Sequence, residues 1–155
     1  MTDTSSTPTR FISLIRVRIT VLFAGYAVVG AAAAGIFDQP EWTLVVAPAL
    51  PCTAALLLIT RSAGIRTVGA TVAILLAIAL AVISNDGTLS DVVDSLTSGI
   101  QGLLSTDWPS PTRPDLIGTV AAVIASASAV SAELAGHRRF HLLPLLPLLL
   151  TYICV

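Results

Sequence analysis

The sequence predicts an all-α integral membrane protein with five transmembrane helices, the fifth incomplete, plus one amphipathic helix in an outer loop. Three observations lead there. Five apolar stretches recur along the 155 residues. The composition is 55% hydrophobic and only 11% charged, against about a quarter charged in soluble domains, so charge cannot cover a water-facing surface. The sign of the charge between the stretches also alternates. Arg10, Arg16 and Arg18 precede the first stretch, and Asp38 and Glu41 follow it. Arg61 and Arg66 follow the second. Asp86, Asp91, Asp94, Asp107 and Asp115 follow the third, opposed only by Arg113, and Arg138 and Arg139 follow the fourth. Cytoplasmic loops retain Arg and Lys while exported loops do not. The alternation therefore predicts a multi-pass protein of the plasma membrane with a cytoplasmic N-terminus.

Residues 1–18 read as a cytoplasmic tail and interface, because Ser- and Thr-rich sequence gives way to apolar residues mixed with Arg. The first span is expected at about 19–37. Its Ala32-Ala33-Ala34 also suits a signal peptide, but the apolar run exceeds the 7–15 residues or so of a signal core. The second span, about 42–60, starts at Trp42, an indole suited to the interface. Pro48 and Pro51 lie inside it and predict a bend, since each lacks a backbone donor. The third span, about 65–84, carries Gly69, Ala70, Ala73 and Ala77, a stripe suited to close helix packing.

The outer loop covers 85–114. Asn85-Asp86-Gly87 turns the chain, and Thr88 with Asp91 fits a capping box. Leu89, Val92, Val93, Leu96, Ile100, Leu103 and Leu104 then recur at helical spacing, which predicts one amphipathic helix over 89–104. Its opposite face holds Asp91, Asp94, Ser98 and Gln101. Helices that bind anionic lipid are rich in Arg and Lys. This acidic one is expected on protein or at an outer-leaflet interface. A stiff segment with Pro109, Pro111 and Pro114 follows, with Trp108 as an interface anchor.

The fourth span, about 115–134, is built almost wholly of Gly, Ala and Ser, which places it inside the bundle or at a subunit interface. The fifth, about 140–155, contains Pro144 and Pro147. Its sixteen residues reach about 24 Å as a helix, short of a full crossing. This end suggests a segment of a longer protein.

Chemistry is sparse. No Gly-rich phosphate loop, nucleophile elbow or carboxylate pair is present, so no catalytic residue, cofactor site or metal site is assigned. His137 and His141 are four apart, but zinc needs further ligands. Cys52 and Cys154 lie at different depths, which argues against a disulfide. All eight basic residues are Arg, and no basic patch with interleaved aromatics supports nucleic-acid binding. The structural candidates are Glu133, expected to pair with Arg138 or Arg139, together with Trp108, Pro144 and Pro147. The expected partners are the lipid bilayer and a membrane protein docked on the small-residue helix faces.

The stretch from Leu103 to Val155 joins Pro109, Pro111 and Pro114 to Ala132-Glu133-Leu134, then Arg138-Arg139, then Pro144 and Pro147. This order resembles the N-terminal membrane region of actinobacterial membrane-anchored transglutaminase-like proteins. The resemblance implies further helices and then an extracytoplasmic papain-like domain with a Cys-His-Asp triad. That domain is absent from this sequence, so no catalytic residue carries over. The chain is then expected to anchor an enzyme rather than to be one. A stand-alone membrane subunit that scaffolds a larger complex is the first rival. A transporter component is the second, weakened by the lack of intramembrane charge.

Overall fold

The computed structural model describes residues 7–37, 41–59, 61–105, 110–136 and 142–154. Trp108, His137, Arg138, Arg139 and His141 lie outside them. Eight helices form among the described residues: α1 (Thr7–Ala34), α2 (Trp42–Val46), α3 (Ala49–Leu57), α4 (Ala63–Ile83), α5 (Leu89–Thr97), α6 (Gly99–Leu104), α7 (Pro114–Ala135) and α8 (Leu145–Cys154). No strand forms there beyond a single bridge between Phe37 and Ser110.

Three segments are long and apolar enough to cross a membrane: Ser13–Ala34, Ala63–Ile83 and Pro114–Ala135. At 1.5 Å per residue each reaches about 30 Å, the thickness of a hydrocarbon core. The first starts earlier than the expected residue 19. Arg16 and Arg18 do not stop the helix, because long basic side chains can reach back to the interface while their stems stay apolar.

The expected second span is broken. Pro48 cannot donate to the carbonyl of Leu44 and its ring would collide with it, so α2 ends at Val46 and Pro48 caps α3. Pro51 then falls in the first turn of α3, where a missing N–H costs nothing. Gly30 of α1 fits against that Leu44 carbonyl, at a distance a side chain would not permit. The expected fifth span behaves alike: Pro144 precedes α8 and Pro147 sits in its first turn. The Pro48–Pro51 pair thus interrupts the apolar helical run Trp42–Leu57 where a bend was expected, whereas Pro144 and Pro147 start α8, which is ten residues long.

α7 is the axis of the fold and touches every other described helix. Arg66 meets Glu133 at one end and Val82 meets Gly118 at the other, so α4 and α7 run antiparallel. Tyr26 of α1 reaches Ser131 of α7. Ile15, Ile19, Cys52 and Ala135 share one cluster. α1 and α4 thus run one way, and α7 and the α2–α3 pair return. α8 lies along α1, with Leu148 against Gly25.

The two ends differ in charge. Arg16, Arg18, Arg61 and Arg66 gather where α1 and α4 begin, and Asp86, Asp91, Asp94 and Asp115 gather where α4 ends and α7 begins. At this second end Asp86 takes a left-handed φ of 57°. The amide of Asp86 donates to Ile83 O and that of Gly87 to Val82 O, the paired bonds of a Schellman stop.

The outer helix also departs from expectation. It breaks at Ser98 into α5 and α6. The break lets Gly99 lie directly against Thr119, where a side chain would collide. The face packed on α7 is the small one, with Ser95 and Gly99 buried. Leu89, Val93, Leu96, Ile100 and Leu104 point outward instead.

Candidate functional site

Three polar groupings stand out against the apolar bundle. The first is at the Arg end. Glu133, in the last turn of α7, pairs with Arg66 in the first turn of α4, with Nε and Oε2 3.4 Å apart. The expected partners Arg138 and Arg139 lie outside the described residues. Sequence reasoning missed Arg66 because it is 67 positions away, and local charge spacing cannot report a contact between helices. A narrow cleft beside the pair is lined by Ile15, Ile19, Ala55, Ile59, Ala132 and Gly136. The two side chains are 29% and 36% exposed, so solvent screens the pair, and such pairs contribute about 0–1 kcal/mol.

The second grouping is a line of hydroxyls in the bundle interior. Tyr26 is fully buried, and its Oη lies 2.9 Å from Ser131 Oγ. Thr151 of α8 faces the same phenol and donates to its own Pro147 O at 2.7 Å. Ser128 donates to Ala125 O at 2.8 Å. Each hydroxyl thereby finds a hydrogen-bond partner, as an apolar surrounding demands. Tyr26 ties α1, α7 and α8 together. Pro147 contributes here through its carbonyl, and Pro144 lines an apolar recess with Val17, Val21, Leu22 and Ala135.

The third grouping is at the Asp end. The Thr88 amide donates to Asp91 Oδ2 at 2.6 Å and the Thr88 hydroxyl at 2.7 Å, the expected capping box. These two donors hold the Asp91 carboxyl below its ordinary value, with smaller help from Arg113. Arg113 makes a two-pronged pair with Asp115, at 3.2 and 2.9 Å. Thr119 donates to Ser95 O at 2.9 Å and fixes α5 on α7. Glu41 is buried at the start of α2 rather than displayed as a loop charge.

The arrangement holds helices together and offers little chemistry. Cys52 is buried among apolar neighbours that include Ile19, Leu22 and Phe23. No trio of His, Cys, Asp or Glu that could hold a metal occurs among the described residues. An apolar cleft of about 400 Å³ runs between α1 and α8 and is lined by Gly25, Val28, Val29, Leu148 and Tyr152. Of the small-residue stripe expected on α4, Ala73 and Ala77 are buried within the chain and Gly69 and Ala70 are half-buried, and most of α7 is buried as well. Comparison with protein-family models, with curated proteins and with solved structures finds no match.

Proposed function

We propose that this chain is a membrane-embedded anchoring module, a helical bundle that holds a partner domain at the surface and does no chemistry itself. One observation carries the reading. Large aliphatic side chains cover the outside of the bundle, as at Val21, Val28, Val68, Leu76 and Leu80, while Ala and Ser share its interior with Ile19, Leu44, Ile78, Leu116, Ile117 and Ile124. Water does not favour that display, because exposed apolar patches of this extent are not stable in it. Acyl chains favour it, since helices in lipid associate by close approach of small residues.

The segregated charges orient the module, with the Arg end cytoplasmic. In this reading α1, the α2–α3 pair, α4 and α7 each traverse the bilayer, and α8 enters it. The resemblance to membrane-anchored transglutaminase-like proteins makes the tethered partner an extracytoplasmic papain-like domain. That step is supported by the Pro-rich outer segment and the Ala132-Glu133-Leu134 turn alone.

Cysteine labelling tests the anchor and its orientation. In a Cys52→Ala, Cys154→Ala background, a membrane-impermeant maleimide should label Asp94→Cys on intact cells and Arg61→Cys only after lysis. The reverse pattern would invert the topology, and recovery of the chain in the wash after alkaline carbonate would sink the anchor. A reading frame continuing past Val155 into a polar domain with Cys, His and Asp would support the transglutaminase-like step, and a stop codon there would remove it.

A further inference from the structure

The α5–α6 pair is sorted three ways around its axis. Ser95 of α5 and Gly99 and Gly102 of α6 form the side that meets α7. Asp91, Asp94, Ser98 and Gln101 lie on a second side. Leu89, Val93, Leu96, Ile100 and Leu104 lie on a third, nearly opposite the acidic one, and each is 54–83% exposed. A helix packed on protein alone needs two sides, one covered and one wet. A third, apolar side requires another apolar medium.

The packing fixes how the pair lies on the bundle. Ser95 meets Gly118, Gly99 meets Thr119 and Gly102 meets Leu116. All three contacts fall within one turn of α7, so α5–α6 crosses α7 rather than following it. The acidic side carries Asp91 and Asp94, at the end of the bundle where Asp86 and Asp115 also gather. The apolar side, exposed and nearly opposite, is left without cover at the same end as the exposed Leu80 and Ile83 of α4.

We infer that α5–α6 lies in the plane of the membrane interface at the Asp end, with Leu89, Val93, Leu96, Ile100 and Leu104 set into the acyl chains of that leaflet. The occupant is the acyl chain and not an anionic headgroup, since neither helix carries Lys or Arg. Interfacial helices of this kind sink about 5–10 Å into the headgroup and acyl boundary. The pair thus works as a float that sets the depth of α7 and of whatever the module carries. This inference rests on the membrane reading proposed above.

Depth-dependent quenching tests it. The full chain, in a Trp42→Phe, Trp108→Phe background, is reconstituted in phosphatidylcholine vesicles with brominated acyl chains and carries one new tryptophan. Leu96→Trp and Ile100→Trp should lose emission by about two-fold against unbrominated vesicles, as expected for a side chain at that depth. Gln101→Trp should keep its emission. Leu76→Trp on the outward face of α4 serves as the control. Quenching of the control without quenching at both 96 and 100 overturns the inference and leaves the membrane reading standing. If the control is not quenched either, both fall. Cross-linking of Leu96→Cys to a second copy at high yield would assign that face to a protein and also overturn the inference.

Discussion

α4 and α7 are close in length and both apolar enough to cross a membrane, yet they occupy opposite places. α4 has the higher mean hydropathy, but 28% of its apolar window is buried against 67% for α7. Side-chain size explains the inversion. Lipid is as apolar as leucine, so hydrophobicity does not decide which helix goes inside; close approach of backbones does. α4 keeps a narrow row, Ala73, Ala77, Ile78, Ala81 and Val82, against its neighbours and turns Val68, Val72, Leu75 and Leu76 outward. α7 sets buried Leu116, Ile117, Val120 and Ile124 between Gly, Ala and Ser positions, and those small positions let neighbours close around it.

The largest break in this comparison should come from enlarging α7. A Cβ at Gly118 would collide with the Ser95 hydroxyl and lie 2.7 Å from Val82. Gly118→Leu should destabilise the bundle by about 3 kcal/mol, at the upper end for overpacking, because α4 and α5 must both move. Unfolding by SDS titration in mixed micelles would measure it. A midpoint within error of the parent would mean that α7 is not clamped at this point.

Next in size is Tyr26→Phe, which removes the bond to Ser131 and leaves that hydroxyl in an apolar interior. Interhelical hydrogen bonds in membranes are worth about 0.6 kcal/mol on average and up to about 1.7. Ser131→Ala should cost a similar amount, and the double variant little more than either alone. Additive losses in such a cycle would show that the two hydroxyls do not interact.

A smaller effect concerns the clamp that α5 places on α7. Asp91 is held in its charged form by two Thr88 donors, so its folded pKa lies below the ordinary 3.8. A depressed carboxyl contributes stability above its unfolded pKa and loses it as pH falls through the folded value. Amide protection at the start of α5 should thus be level from neutral pH down to about 4 and decline only below that. Asp91→Asn should lower protection at neutral pH and remove the dependence. Protection that declines already between pH 6 and 5 would identify a different titrating group.

How much of this was legible in sequence follows from the range of the interaction involved. α4 and α7 begin and end within two residues of the expected bounds, and the Thr88–Asp91 box and the Asn85-Asp86-Gly87 turn are as expected, because caps and apolar runs are local signals. The inward place of α7 was also readable, from its Gly, Ala and Ser content. The interruption at Pro48 was readable too, since a proline within an apolar helical run removes a backbone donor, whereas Pro51 and Pro147 fall in first turns and cost nothing. The partner of Glu133 and the meeting of Tyr26 with Ser131 depend on which helices become neighbours, which periodicity does not encode. Periodicity likewise marked Leu89, Val93, Leu96 and Ile100 as one face but could not show that α7 would receive Ser95 and Gly99 instead.

The smallest predicted effect is the most exacting for the comparison. Leu76 of α4 is 54% exposed. If lipid covers it, Leu76→Ala exchanges contacts with acyl chains for other contacts with acyl chains, in the folded and the unfolded chain alike. The cost should then stay within about 0.5 kcal/mol, the range of uncommitted surface positions. A buried Leu→Ala change leaves a cavity and costs about 2–5 kcal/mol. The same SDS titration separates the two. A loss in the larger range would mean that protein, such as a second copy of the chain, covers the outward face of α4. The contrast with α7 would then be one between two protein interfaces, one within the chain and one between chains, and side-chain size would no longer explain it alone.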